Sequence, residues 1–157
     1  MMKQHDEIIL DSGWKYTVYL SASVKSYTIY DDTKYTVTGL SIEASHSHLD
    51  FTRYCGTLEL FYDMSDYAYL VMKEKEIRKV QTLKPGIAAG YAFLFGKLSA
   101  NVHLGSYLYA QNQVYGFVYQ RLALRYDVAR RANIHLGLKT HWGQADYVEL
   151  AIGYRIL

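Results

Sequence analysis

The residues best suited to chemistry are His141 and Glu149, both in the C-terminal segment from Ala132 to Leu157. A histidine can take a proton near neutral pH, and a carboxylate can orient its imidazole ring. Around them, aliphatic residues alternate with polar or small ones, which predicts two strands joined near Gly143 and Gln144. Both candidate residues fall on the polar face beside the turn, so we expect that they can hydrogen-bond across the hairpin.

The same two-residue alternation recurs along the chain and predicts eight strands in all. Turn-forming or polar connections are expected at Asp31–Lys34, His46–Asp50 and Ala110–Gln113. The one long irregular stretch, Asp63–Lys84, contains the charge-dense run KEKEIRK and is predicted to be a solvated loop. Little of the chain is left for a helix.

In nearly every strand, the charged residues occupy one of the two alternating sets of positions. The other set is almost wholly apolar. Eight antiparallel strands predict an up-and-down barrel, which closes on itself and leaves no exposed edge. A soluble, lipocalin-like barrel would turn its apolar set inward. We favour a transmembrane barrel with a polar interior and a lipid-facing apolar exterior, because small and charged residues can fill so narrow a barrel. The charged set comprises Lys25, Glu43, Glu59, His103, Arg121, Arg125, Asp127, Lys139, Glu149 and Arg155. An uncompensated charge inside a filled barrel is very costly, so we expect buried ion pairs among Glu43, Glu59, Arg121 and Arg125.

Composition narrows the function classes. The 157 residues predict one domain, with residues 1–13 as an N-terminal extension and residues 63–84 as a long extracellular loop. The formal charge of +2 argues against a nucleic-acid binder. Charges interrupt the apolar residues of Met1–Leu10, so this segment is not expected to be a signal peptide. The lone Cys55 excludes an internal disulfide.

No metal or cofactor site is predicted. His46, His48 and Asp50 look like a ligand cluster, but they fall in an expected turn. A metal site needs three or four converging ligands, and no further ligand follows nearby. We therefore expect these three residues to be solvated.

Four segments resemble the lipid A 3-O-deacylase family, also called PagL-like acyloxyacyl hydrolases. They are GTLELFYDMSD, FGKLSANVHLGSYLY, VYQRLALRYDV and LKTHWGQADYVELAIGYR, and the last is the most specific. The resemblance implies a barrel in the bacterial outer membrane that removes an ester-linked acyl chain from lipopolysaccharide. Its expected partners are outer-membrane lipid and lipopolysaccharide, while other outer-membrane proteins or a second copy of the chain stay open.

The resemblance also assigns the candidate site. His141 matches the family histidine and Glu149 resembles its acidic partner. Better-known members carry a serine two residues after the histidine, where this chain has Gly143. The nearest substitutes are Ser65, expected at the same rim, and Thr140. Two hypotheses follow: a lipid A esterase that uses His141, Glu149 and Ser65, and a non-catalytic barrel in which His141 and Glu149 belong to the interior polar network.

Overall fold

The chain folds into a closed barrel of eight antiparallel strands, as predicted. The computed structural model describes residues 13–26, 33–73, 76, 78–112 and 116–156. Each strand pairs with the next, and β1 pairs with β8 to close the barrel. The strands are β1 (Trp14–Ser26), β2 (Lys34–Leu49), β3 (Thr52–Asp63), β4 (Leu83–Phe95), β5 (Leu98–Tyr107), β6 (Val118–Asp127), β7 (Ala132–His141) and β8 (Gln144–Arg155).

Two predicted connections need correction. The stretch Asp63–Lys84 is not wholly irregular, because it contains a helix, α1 (Met64–Met72), and a 3₁₀ turn (Lys79–Thr82). The side chain of Asp63 accepts the backbone N–H of Ser65 and so caps α1, while Leu70 is buried. No helix in the described residues is both long and apolar enough to cross a bilayer.

The predicted turn His46–Asp50 is also wrong for most of its length, since β2 continues to Leu49. His46 packs between Trp14 and Tyr54, with ring centroids 5.3 and 5.4 Å away, and these contacts stabilise extended backbone there. Positions 31 and 32 of the predicted first turn, position 113 of Ala110–Gln113, and all of the N-terminal extension except Gly13 lie outside the described residues.

The outer surface of the barrel is apolar, which confirms the predicted polarity. Six aliphatic side chains predicted to face lipid are between 52% and 66% exposed, namely Leu104, Leu122, Leu124, Leu136, Leu150 and Ile152. Exposed aromatic side chains flank this aliphatic band at both ends. They include Trp14, Tyr16, Phe51, Tyr54, Phe93 and Phe95 at one end, and Tyr109, Phe117 and Trp142 at the other. An apolar band between aromatic girdles is the pattern of a membrane-spanning barrel.

The interior holds the predicted buried ion pairs. The guanidinium of Arg125 donates to both carboxylate oxygens of Glu43, at 2.9 and 2.8 Å. Arg121 binds Glu59 and also lies 2.7 Å from Oε1 of Glu149. A cavity among these charges has a volume of about 20 Å³, which is room for about one water molecule. Where the structure describes it, the barrel is therefore packed with side chains.

Candidate active site at the barrel rim

The candidate site lies at the end of the barrel that carries α1 and the β7–β8 turn, which we call the helix end. Trp142 and Gly143 form this turn with φ values of 51° and 83°. Positive φ at both central residues is typical of the type I′ hairpin. The backbone N–H of Trp142 donates to the side-chain oxygen of Gln120 on β6, at 3.1 Å. The turn is thereby fixed to the neighbouring strand, with His141 directly before it.

His141 points into the barrel and is only 6% exposed. Its Nδ1 atom lies 3.6 Å from Oδ2 of Asp146, the opposing arm of the same hairpin. The imidazole stacks on the ring of Tyr107 at a centroid distance of 6.0 Å, and Tyr119 presents an edge at 6.4 Å. A carboxylate beside one ring nitrogen fixes the orientation of the imidazole and stabilises its charged form.

Asp146 connects His141 to a wider set of charges. Its Oδ1 atom lies 3.1 Å from the ammonium group of Lys25, which also contacts Oδ2 of Asp63 at 2.6 Å. Lys84 binds Asp66 and lies 3.8 Å from Asp63. We call this set of residues the rim network. It joins β1, β3, α1, β4, the β5–β6 connection and the β7–β8 hairpin. Its members are Lys25, Asp63, Ser65, Asp66, Lys84, Asn112, His141 and Asp146.

Ser65 belongs to the rim network through Asp63. Its hydroxyl donates to Oδ1 of Asp63 at 2.6 Å, and its backbone N–H donates to the same oxygen at 2.9 Å. Ser65 is 1% exposed. The contacts that lead from Ser65 to His141 run through Asp63, Lys25 and Asp146. The structure thus places both predicted residues at one rim, but the serine proton is directed to an aspartate.

The carboxyl group of Asp66, next to Ser65, contacts residues from other parts of the barrel. Burial raises the pKa of the Asp66 carboxyl, the charge of Lys84 opposes this shift, and the neighbouring Asp63 adds to it. The side-chain amide of Asn112 also donates to Asp66, at 2.9 Å. The first turn of α1 is therefore attached to the rim by Lys84 on β4 and by Asn112 in the β5–β6 connection.

Glu149, the predicted orienting carboxylate, lies deeper in the barrel. It pairs with Gly137 across the hairpin, whereas His141 pairs with Gln144. Its Oε1 atom lies 2.7 Å from Arg121 and 3.6 Å from His135. The carboxylate beside His141 is instead that of Asp146, which the sequence analysis did not identify.

A bulge explains why alternation did not reveal Asp146. Val148 faces lipid, and residues two apart in a regular strand share a face, so alternation predicts that Asp146 also faces lipid. However, the β7–β8 register shifts between Lys139 and Thr140, so that Asp146 lies between the pairs Thr140–Ala145 and Lys139–Tyr147. An extra residue in one strand re-aims side chains. The side chain of Asp146 is only 11% exposed and points to the interior charges.

Lys139 separates the rim network from the central ion pairs. It is fully buried, and its ammonium nitrogen lies among four aromatic rings. The centroid distances are 3.4 Å to Phe61, 4.1 Å to Tyr119, 4.7 Å to Tyr107 and 5.5 Å to Tyr147. Cation–π attraction of this kind stabilises a desolvated ammonium. The same Tyr107 and Tyr119 rings contact His141, so Lys139 packs the floor of the candidate site.

One group of described residues brings three potential metal ligands together. Ligand atoms of Glu43, Cys55 and His103 lie within 4.8 Å of one another. Both oxygens of Glu43 already accept hydrogen bonds from Arg125, whose charge opposes a cation there. The thiol of Cys55 lies 3.4 Å from Nε2 of His103. We therefore assign the group to the interior hydrogen-bond network.

Comparison with known proteins gives one family match. The family model described as acyloxyacyl hydrolase, C-terminal domain, matches residues 14–157. No curated protein matches the chain significantly. Among solved structures, the chain is similar to Ail, the attachment invasion locus protein of Yersinia pestis, in complex with the heparin analogue sucrose octasulfate. That alignment has 11% identity and a TM-score of 0.40, and it covers 91% of this chain and 97% of Ail.

Proposed function

Because the chain belongs to the acyloxyacyl hydrolase C-terminal domain family, we propose that it is an outer-membrane ester hydrolase that removes an acyl chain from lipid A. The observation that carries the proposal is the pairing of His141 with Asp146 at the barrel rim, in one network with Ser65. A histidine oriented by a carboxylate and working with a serine hydroxyl is the constellation that serine hydrolases use to cleave esters.

The barrel supports the proposed location in the outer membrane. An apolar band between aromatic girdles suits a bilayer, and in bacteria such barrels reside in the outer membrane. Long connections of these barrels face outward and short turns face the periplasm. The helix end carries the connection from Met64 to Thr82, whereas Gly96–Lys97 and Asp50–Phe51 are tight turns at the opposite end. This orientation supports a position of the rim network at the outer leaflet, within reach of lipid A.

In the proposed mechanism, His141 takes the proton of the nucleophile and Asp146 holds the imidazole in place. The Ser65 oxygen attacks the ester carbonyl, and the tetrahedral intermediate expels the sugar alcohol, which receives the proton from His141. Water activated by the same histidine then releases the fatty acid from Ser65. The hydroxyl of Ser65 must first turn from Asp63 to His141, so movement at the start of α1 is part of the mechanism.

Asp146 takes the role that the sequence suggested for Glu149. We propose that Glu149 instead neutralises Arg121 beneath the site, because its Oε1 atom lies 2.7 Å from that guanidinium. The two carboxylates are distinguishable by experiment. Replacing Asp146 with asparagine should abolish hydrolysis with only a small loss of stability, because Lys25 keeps its contact with Asp63. Replacing Glu149 with glutamine should leave the His141–Asp146 pair in place and lower stability.

The decisive experiment is mass spectrometry of lipid A from bacteria that express the full chain. We expect loss of one acyl chain with the wild type, and intact lipid A with His141→Ala, Asp146→Asn or Ser65→Ala. His48→Ala is the matched control, since His48 is an exposed histidine at the opposite end of the barrel. If Ser65→Ala alone keeps full activity, Ser65 is not the nucleophile. Intact lipid A with every folded and inserted form, the wild type included, would refute the hydrolase.

A non-catalytic outer-membrane barrel is the second candidate, and one observation favours it. His141, Ser65 and Glu149 are 6%, 1% and 3% exposed, and each already contacts a charged partner. Such burial is what an interior network requires for stability. On this reading His141→Ala and Ser65→Ala lower the unfolding free energy, and the wild type leaves lipid A intact.

A further inference from the structure

Helix α1 has two distinct faces. Ser65, Asp66 and Leu70 are buried against the rim. The opposite side carries an apolar stripe at positions i, i+4, i+7 and i+8, formed by Met64, Ala68, Val71 and Met72. Met64, Val71 and Met72 are 41%, 48% and 63% exposed. A helix that binds the barrel through its polar face and leaves its apolar face outward needs an apolar environment on that side.

Exposed basic residues follow this stripe. Lys73 ends α1, and Arg78 and Lys79 begin the 3₁₀ turn. The ammonium groups of Lys73 and Lys79 lie 4.6 and 5.7 Å from the ring centroids of Tyr69 and Tyr67, so stacking keeps both cations beside the helix. The connection thus presents apolar side chains and cations together.

The position of this surface relative to the barrel wall is also informative. The chain leaves β3 after the outward residues Leu60 and Tyr62, and it re-enters the wall at Leu83. These three side chains line an apolar depression of about 170 Å³ on the exterior. Helix α1 therefore starts from the edge of the lipid-facing wall at the helix end. In a bilayer this is the level at which acyl chains give way to charged head groups.

We propose that the α1 surface, formed by Met64, Val71, Met72, Lys73, Arg78 and Lys79, binds a phosphorylated glycolipid of the membrane. The cations contact its phosphate groups and the apolar stripe contacts its acyl chains. Basic residues at a membrane surface attract anionic head groups, and apolar helix faces enter the acyl boundary. The inference rests on the proposed function, because a glycolipid held there places its ester bonds at the rim network.

The test measures binding rather than hydrolysis. The full chain carrying His141→Ala, in detergent micelles, is titrated with bisphosphorylated lipid A and with the same lipid after removal of both phosphates. The charge variant is K73Q/R78Q/K79Q. Its matched control, K97Q/R130Q/R131Q, removes three exposed cations from the turns at the opposite end. A second variant, V71Q/M72Q, makes the stripe polar and keeps the charges.

We expect the phosphorylated lipid to bind at least about tenfold more tightly than the dephosphorylated one. K73Q/R78Q/K79Q should abolish this preference, the control should keep it, and V71Q/M72Q should weaken both lipids alike. Equal affinity for the two lipids, or a preference that survives in K73Q/R78Q/K79Q, overturns the inference. Phosphate-dependent binding without hydrolysis by the wild type would refute the proposed function alone. Hydrolysis without a preference for the phosphorylated lipid would refute only this inference.

Discussion

Replacing Gly105 with alanine is a direct test of how tightly the barrel interior is packed. A Cβ atom at Gly105 would clash with Cζ of Tyr119 and would lie only 2.5 Å from the hydroxyl oxygen of that residue. Carbon atoms normally approach to about 3.5–4.0 Å, so the ring must move by more than an ångström. Tyr119 is fully buried and donates a hydrogen bond to Glu59, which leaves it little room.

The expected cost has two parts. Forcing a methyl group into a packed core costs about 1–3 kcal/mol. Displacing the Tyr119 hydroxyl from a charged acceptor adds about 1.5–3 kcal/mol. The unfolding free energy should therefore fall by about 1–3 kcal/mol if the hydrogen bond survives and by about 2.5–6 kcal/mol if it is lost. Gly56→Ala is the control, since Gly56 faces outward and its Cβ would meet nothing within 4 Å; there we expect a change within about 0.5 kcal/mol.

Urea unfolding in lipid vesicles measures both variants, with tryptophan fluorescence as the signal. Trp14 and Trp142 lie at opposite ends of the barrel, so one transition reports on the whole wall. Equal, small losses for Gly105→Ala and Gly56→Ala would show that the interior can rearrange around Tyr119. The close packing inferred from the contacts would then be wrong.

Two further substitutions test the polarity of the barrel and its ion pairs. Leu136→Arg should block assembly into the outer membrane, because Leu136 is 53% exposed in the middle of β7 and a lipid-facing arginine costs about 2–4 kcal/mol near the midplane; normal amounts of heat-modifiable barrel in membrane fractions would contradict this. Glu59→Ala should destabilise the barrel by about 3–5 kcal/mol, since it leaves the buried Arg121 without one of its carboxylates. The exposed Glu76→Ala is its control in the same urea assay, and equal losses for the two would contradict the expectation.

The strands and their faces were predictable from sequence, because alternation is a local property of the chain. Leu122 and Leu124 alternate with Arg121 and Arg125, and this determines which side chains lie inside wherever the strand pairs. The barrel followed because eight strands with one apolar face each need closure and a nonpolar surrounding. The predicted pairs of Glu43 and Glu59 with arginine followed because a buried charge needs a partner.

Helix α1 was not predictable in the same way. Its segment is short, and its buried face comprises Ser65 and Asp66 as well as Leu70, so the pattern does not look like a core helix. Contacts with Lys84 on β4 and with Asn112 in the β5–β6 connection hold it on the rim. Only the closed barrel brings these residues next to α1.

The identity of the carboxylate at His141 depended on the tertiary structure as well. Sequence alternation placed His141 and Glu149 on the same face, and both do point inward. Alternation states the face of a side chain but not its height along the barrel. The register places Glu149 beside Arg121, and the bulge at Asp146 turns a residue of the outward phase toward His141. Strand register and bulges arise from pairing between strands, so the sequence determined which residues share the interior, and only the folded barrel decided which of them meet.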